Sequence, residues 1–86
     1  MTREEIEDFA VQADASEAII PDALDDAFIG FTTSDEEPAR AVYSVERCIQ
    51  ILAGSMSHEE ATEHFWYNVA GTFGENFPIY ITTPED

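Results

Sequence analysis

Nineteen carboxylates stand against three arginines and no lysine in 86 residues, a formal net charge of -16. A small compact domain tolerates a net charge of roughly 2 to 8 before self-repulsion works against folding. This chain can therefore fold only if apolar burial outweighs that repulsion, or if salt or a cationic partner screens it. The apolar side is well supplied: 44% of residues are hydrophobic, and the aromatics comprise six Phe, three Tyr and one Trp. That content is too high for a chain kept disordered by charge. The length bounds one domain, residues 1–86, with a modest core.

The single cysteine, Cys48, has no partner for an internal disulfide and sits in an apolar helical pattern, so it reads as a small buried hydrophobe in a reduced, cytoplasmic setting. The N-terminal segment Met1 to Asp8 lacks a basic stretch followed by an apolar one, and no apolar run approaches the ~20 residues of a membrane span. Anionic lipid and bare nucleic acid are repelled by such a surface. Neither membrane association nor direct nucleic-acid binding is expected.

Periodicity divides the chain into an acidic helical arm and connection (1–25), a body (26–83) and a short tail (84–86). Thr2 can cap a first helix in which Ile6, Phe9 and Ala10 share a face and Glu4, Glu5, Glu7 and Asp8 lie near its positive end. Residues 13–25 read as a connection or a second short helix, since Pro21 disfavours helix through Ile20. Ala27 to Thr33 reads as a strand with a bulge or close contact at Gly30, and Ala39 to Tyr43 as its antiparallel return after the turn Ser34 to Pro38.

Ser44 can cap a helix carrying Val45, Cys48, Ile49 and Leu52 at i, i+3, i+4, i+7, with Gly54 as its stop. Ser57 and Glu60 form a capping-box pattern ahead of Ala61, Phe65 and Val69, with Trp66 and Ala70 widening the face and Gly71 closing it. Phe77 to Thr83 reads as a last strand at a sheet edge, where Pro78 is tolerated. The expected architecture is α+β: a small antiparallel sheet of about three strands on a helix pair, with the N-terminal arm.

Few residues suggest chemistry. His58 and His64 are six apart, about 120° around a helix, whereas a His-Glu-x-x-His site needs i and i+4. Glu60 and His64 do share a face, so a metal-dependent enzyme requires a third converging ligand. Asp22, Asp25, Asp26 and Asp35, Glu36, Glu37 fit acidic turns and follow no EF-hand pattern. Cys48 lies on the core face, and Ser44 and Ser57 are caps without an evident base. The expectation is a noncatalytic protein without cofactor or metal.

What remains is a surface. Twelve of the nineteen acids fall in residues 1–40, beside Arg3 and Arg40. Helical neighbours at i, i+3 and i+4 lie ~5 to 6 Å apart, so carboxylates can approximate phosphate spacing and occupy the Lys/Arg channel of a nucleic-acid-binding protein. The residues expected to form that partner-binding face are Asp22, Asp25, Asp26, Asp35, Glu36 and Glu37, in turns flanking the first strand. Solubility in a high-salt cytoplasm is the alternative account of the same charge. A second surface follows from Phe65, Trp66 and Tyr67, which cannot all face one core at 100° steps. Burial is the favoured reading for these rings. Tyr67 is the expected exposed one, and Trp66 with Tyr67 can anchor a partner or a homodimer.

The segments Ala41-Val42-Tyr43, Met56-Ser57-His58-Glu59-Glu60-Ala61, Asn68, Gly74-Glu75 and Pro78 resemble a pattern found in small uncharacterised acidic proteins of bacteria, prophages and phages. The resemblance covers about the C-terminal half and carries no known activity over to this chain, its motif reading as strand end, helix cap, turn and edge strand. By analogy with small acidic inhibitors of host defence, of the anti-restriction and anti-CRISPR kind, it implies a phage or mobile-element inhibitor that imitates nucleic acid. Trp66-Tyr67 departs from the acidic-aromatic residues expected there.

Overall fold

A computed structural model describes residues 1–21, 23–33, 36–71, 74 and 76–84. In chain order the elements are α1 (Arg3–Gln12), a 3-10 turn (Asp25–Ala27), β1 (Phe28–Phe31), β2 (Ala41–Ser44), α2 (Val45–Leu52), α3 (His58–His64), a π-helical segment (Phe65–Val69) and β3 (Ile79–Ile81). The class is α+β, as the periodicity implied, and the described residues between α1 and the 3-10 turn contain no further helix, so this stretch is a connection.

Local chemistry accounts for the helix ends. At the start of α1 the Thr2 hydroxyl accepts the Glu5 N–H at 3.2 Å and the Glu5 carboxylate accepts the Thr2 N–H at 2.9 Å, a reciprocal capping box. Past the C-cap residue Ala13 the chain leaves the helix at Asp14, whose φ of 56° is left-handed. Ala15 N–H then reaches Ala10 C=O at 2.7 Å and Asp14 N–H reaches Val11 C=O at 3.2 Å, the Schellman pairing. Ser44 and Ser57 cap α2 and α3 by accepting the N–H of Arg47 and Glu60. The Glu60 carboxylate accepts a hydrogen bond from the Ser57 hydroxyl at 3.0 Å. Gly54 and Gly71 stop their helices without left-handed backbone: no described glycine has positive φ, and α2 tightens through Gly54 N–H to Ile51 C=O at 3.2 Å.

The sheet order is β1-β2-β3. β1 and β2 are antiparallel, pairing Phe28 with Tyr43, Gly30 with Val42 and Phe31 with Ala41, so Ile29 is the extra residue of a bulge beside Gly30. The bulge has a packing consequence. Residues three apart in a regular strand face opposite ways, yet Phe28 and Phe31 here meet at 5.1 Å between ring centroids, and Phe9 of α1 touches both.

β2 and β3 are parallel, pairing Val42 with Ile79, Tyr43 with Tyr80 and Ser44 with Ile81. The sheet is thus mixed, correcting the all-antiparallel expectation. Parallel neighbours need a crossover of a dozen residues or more, and α2, α3 and the π segment together supply one. Ser44 belongs to both β2 and the α2 cap, so the chain turns straight from sheet into helix. The strands are also shorter than their apolar runs.

The core gathers Ile6, Leu24, Ala27, Phe28, Ala41, Tyr43, Cys48, Ile49, Ala61 and Phe65. Ile6 is wholly buried, so the N-terminal helix α1 packs into the body through that residue. Ring contacts run from Phe28 through Tyr43 (5.6 Å), Tyr80 (6.0 Å) and Phe65 (5.2 Å) to Trp66 (5.0 Å), connecting α1 to the π segment.

Candidate functional site

The buried chemistry is inert. Burial pushes the Cys48 thiol up to about 12, leaving almost no thiolate at neutral pH. Burial likewise pushes the Tyr80 phenol up to about 12. Burial first, and the nearby Asp25 charge second, hold the Tyr43 phenol above its ordinary value. Among the described residues no group of three or more His, Cys, Asp or Glu side chains is arranged to hold a metal ion. The third ligand that a metal reading of Glu60 and His64 requires is therefore not found there; His64 Nδ1 lies 3.4 Å from the Asn68 amide instead. No described helix is long and apolar enough to cross a membrane.

The six acids expected to form a binding face divide. Asp22 and Asp35 lie outside the described residues. Asp26, Glu36 and Glu37 are exposed. Asp25 is half-buried: Arg3 Nε stands 3.6 Å from its Oδ1, which is closed off from solvent. Arg3 also donates to the carbonyls of Ile20 and Pro21 at 3.1 and 2.9 Å, so this cation fastens the N-terminal end of α1 to the connection. The arrangement is structural.

At the other end of α1 the acids converge on a groove. Residues 13–18 face Thr32, Thr33 and Glu37 to Ala39 across an open cleft of about 540 Å³, bordered by Asp14, Glu17 and Glu37. All three carboxylates are exposed. α1 continues the acidity with Glu4, Glu5, Glu7 and Asp8, all exposed, and has no basic residue in its last turn. The described turns flanking β1 thus meet opposite ends of a ten-residue helix, about 15 Å apart along its axis. α1 is the bridge between them.

Asp14 and Glu17 belong to this face and were read from the sequence only as a polar connection. Their nearness to Glu37 depends on the β1–β2 hairpin folding back over the end of α1, which no local spacing encodes. The Thr2 and Glu5 box also acts on charge: the Thr2 backbone N–H, then its hydroxyl, hold the Glu5 carboxyl below its usual range.

The three consecutive aromatics separate sharply. Phe65 is wholly buried, Trp66 is 53% exposed and Tyr67 82% exposed. Tyr67 is the most open ring, as expected, whereas the burial favoured for Trp66 does not occur. With Phe65 turned to the core, successive helical steps of about 100° carry Trp66, Tyr67 and Asn68 outward, and the segment is closed by Ala70 N–H on Phe65 C=O at 2.7 Å, an i→i+5 bond.

A second cleft, about 300 Å³ and more apolar, lies among Ile19, Leu24, Leu52, Val69, Phe77 and Tyr80. No protein family, no curated protein and no solved structure matches the chain.

Proposed function

We propose that this protein is a noncatalytic cytoplasmic binding protein that docks the acidic face of α1, with Asp14, Glu17 and Glu37 at its end, on the basic channel of a nucleic-acid-binding protein. In the cell it acts as a phage or mobile-element inhibitor of a host defence complex, of the anti-CRISPR or anti-restriction type, by standing in for nucleic acid. The observation that carries this reading is that exposed carboxylates stand at both ends of α1, Glu4, Glu5, Glu7 and Asp8 on its first turns and, past the acid-free Phe9 to Ala13, Asp14 and Glu17 with Glu37 at the cleft. Carboxylates about 5 to 6 Å apart along a helix offer a basic channel a spacing it can accept in place of phosphates. An alternative follows from the absence of lysine, which suits an accessory protein adapted to high salt.

The test is recovery of partners on tagged protein from a host lysate at about 0.1 and about 0.5 M salt, the latter screening charges beyond a few ångström. Mimicry requires a basic nucleic-acid-binding complex retained at low salt, displaced by DNA or RNA, and lost when Asp14, Glu17 and Glu37 are changed to Lys. Retention by that triple variant removes the face from the mechanism. A chain that folds only in molar salt and retains nothing specific selects the high-salt alternative.

A further inference from the structure

The acidic face of α1 leaves the exposed aromatic turn without a use. Trp66 and Tyr67 present large ring area to solvent, which in a chain with so small a core is an unpartnered surface. Its surroundings limit what can cover it. α3 carries Glu59, Glu60 and Glu63, all exposed, and no Arg or Lys. Glu63 precedes Trp66 by three residues and Tyr67 by four, the spacings that bring side chains about 5 to 6 Å together on a helix. Tyr67, Glu60, Glu63 and His64 border one open depression of about 550 Å³, with Ser55, Met56 and Asn68 completing its wall. Glu60 already accepts the Ser57 hydroxyl, so Glu63 is the carboxylate best placed to meet a ligand.

We infer that this depression receives an arginine side chain from the surface of a basic protein partner, its guanidinium lying on the Tyr67 ring and donating to Glu63, with Trp66 packed at the rim. Charge complementarity decides the occupant. A second copy of this chain brings another net -16 against the same carboxylates, and an apolar partner buries Glu63 unpaired, which is costly. A cation is drawn by both the ring face and the carboxylate. Arginine fits better than lysine, because its planar fork stacks on a ring while pairing with a carboxylate. The inference rests on the reading of the partner as a basic protein, but engages a different surface from α1.

Trp66 is the chain's single tryptophan and adjoins Tyr67, so tryptophan emission reports the edge of this site. Full-length protein is titrated with oligo-arginine and with oligo-lysine peptides of equal length at about 0.15 M salt. The proteins compared are the unmodified chain, Tyr67→Ala, Tyr67→Phe, Glu63→Gln and the α1-face triple Lys variant. Oligo-arginine is expected to shift Trp66 emission and to bind roughly two- to fivefold more tightly than oligo-lysine, the worth of one exposed cation–π contact. That preference disappears in Tyr67→Ala and Glu63→Gln and persists in Tyr67→Phe. The triple variant binds both peptides more weakly yet keeps the arginine-dependent emission change. Equal affinities with unmoved emission in the unmodified chain overturn the inference and leave the α1 reading intact. An emission change that follows protein concentration without peptide also overturns it, in favour of self-association.

Discussion

Tyr43 offers the sharpest test of how the core is built. Its ring is wholly buried, packed on Phe28 and Tyr80, while its hydroxyl has no hydrogen-bond partner among the described residues. An unsatisfied buried polar group costs about 1 to 3 kcal/mol, so Tyr43→Phe removes the liability and keeps the ring contacts. The expected outcome is a gain of about 1 kcal/mol, opposite in sign to most core substitutions. For a domain of this size that raises Tm by roughly 4 to 8 °C. In urea it moves the midpoint up by about 1 M at unchanged slope.

The pH dependence follows from the same environment. Burial and the Asp25 charge raise the folded-state pKa of the Tyr43 phenol, so its contribution is fully present below the unfolded value of about 10 and is lost as pH rises beyond it. The Phe variant lacks that loss, and its advantage should widen above pH 10. Equilibrium urea unfolding at pH 7 and at pH 10.5 measures both effects. A loss of about 1 kcal/mol or more at pH 7 refutes the reasoning, because it means the hydroxyl is hydrogen-bonded in solution.

Two further outcomes test burial and backbone strain. Cys48, with its thiol pushed up to about 12, should alkylate at pH 8 at least about a thousandfold more slowly than a free cysteine of pKa about 8.5. Unfolding in urea should abolish the protection, and fast labelling of the folded chain contradicts the core position. Asp14 and Ala23 sit at φ of 56° and 66°, where a left-handed conformation costs an L-residue about 1 to 2 kcal/mol. Changing Ala23 to Gly should stabilise by up to about 1 kcal/mol after the unfolded-state entropy is counted, and Ala23→Val should destabilise by at least as much in thermal melts. The same sign for both substitutions contradicts the backbone assignment.

The functional surfaces were legible in unequal measure. Exposure of Tyr67 followed from consecutive aromatics on a helix, because a helical step cannot hide three neighbouring rings. The acidic face was legible as a composition but not as a place. Asp25 looked like one more exposed turn acid until Arg3, twenty-two positions away, closed on it. Asp14 and Glu17 looked like linker until the hairpin brought Glu37 beside them. A carboxylate's role depends on whether a cation or another carboxylate is its neighbour, and those neighbours come from distant parts of the chain.

The sequence by itself determined the local architecture: which segments are helices, where Thr2, Ser44 and Ser57 cap them, and that the first strand is irregular, by a bulge or a close contact, near Gly30. Each depends on spacing and hydrogen bonds within a few residues, which a linear pattern records. Only the tertiary structure decided that β3 lies parallel to β2, that Ile6 joins the core, and that the helix after His64 widens into a π turn with Trp66 left outside the core. Those outcomes are set by packing between segments far apart in sequence, where filling one shared core fixes strand direction and helix winding together.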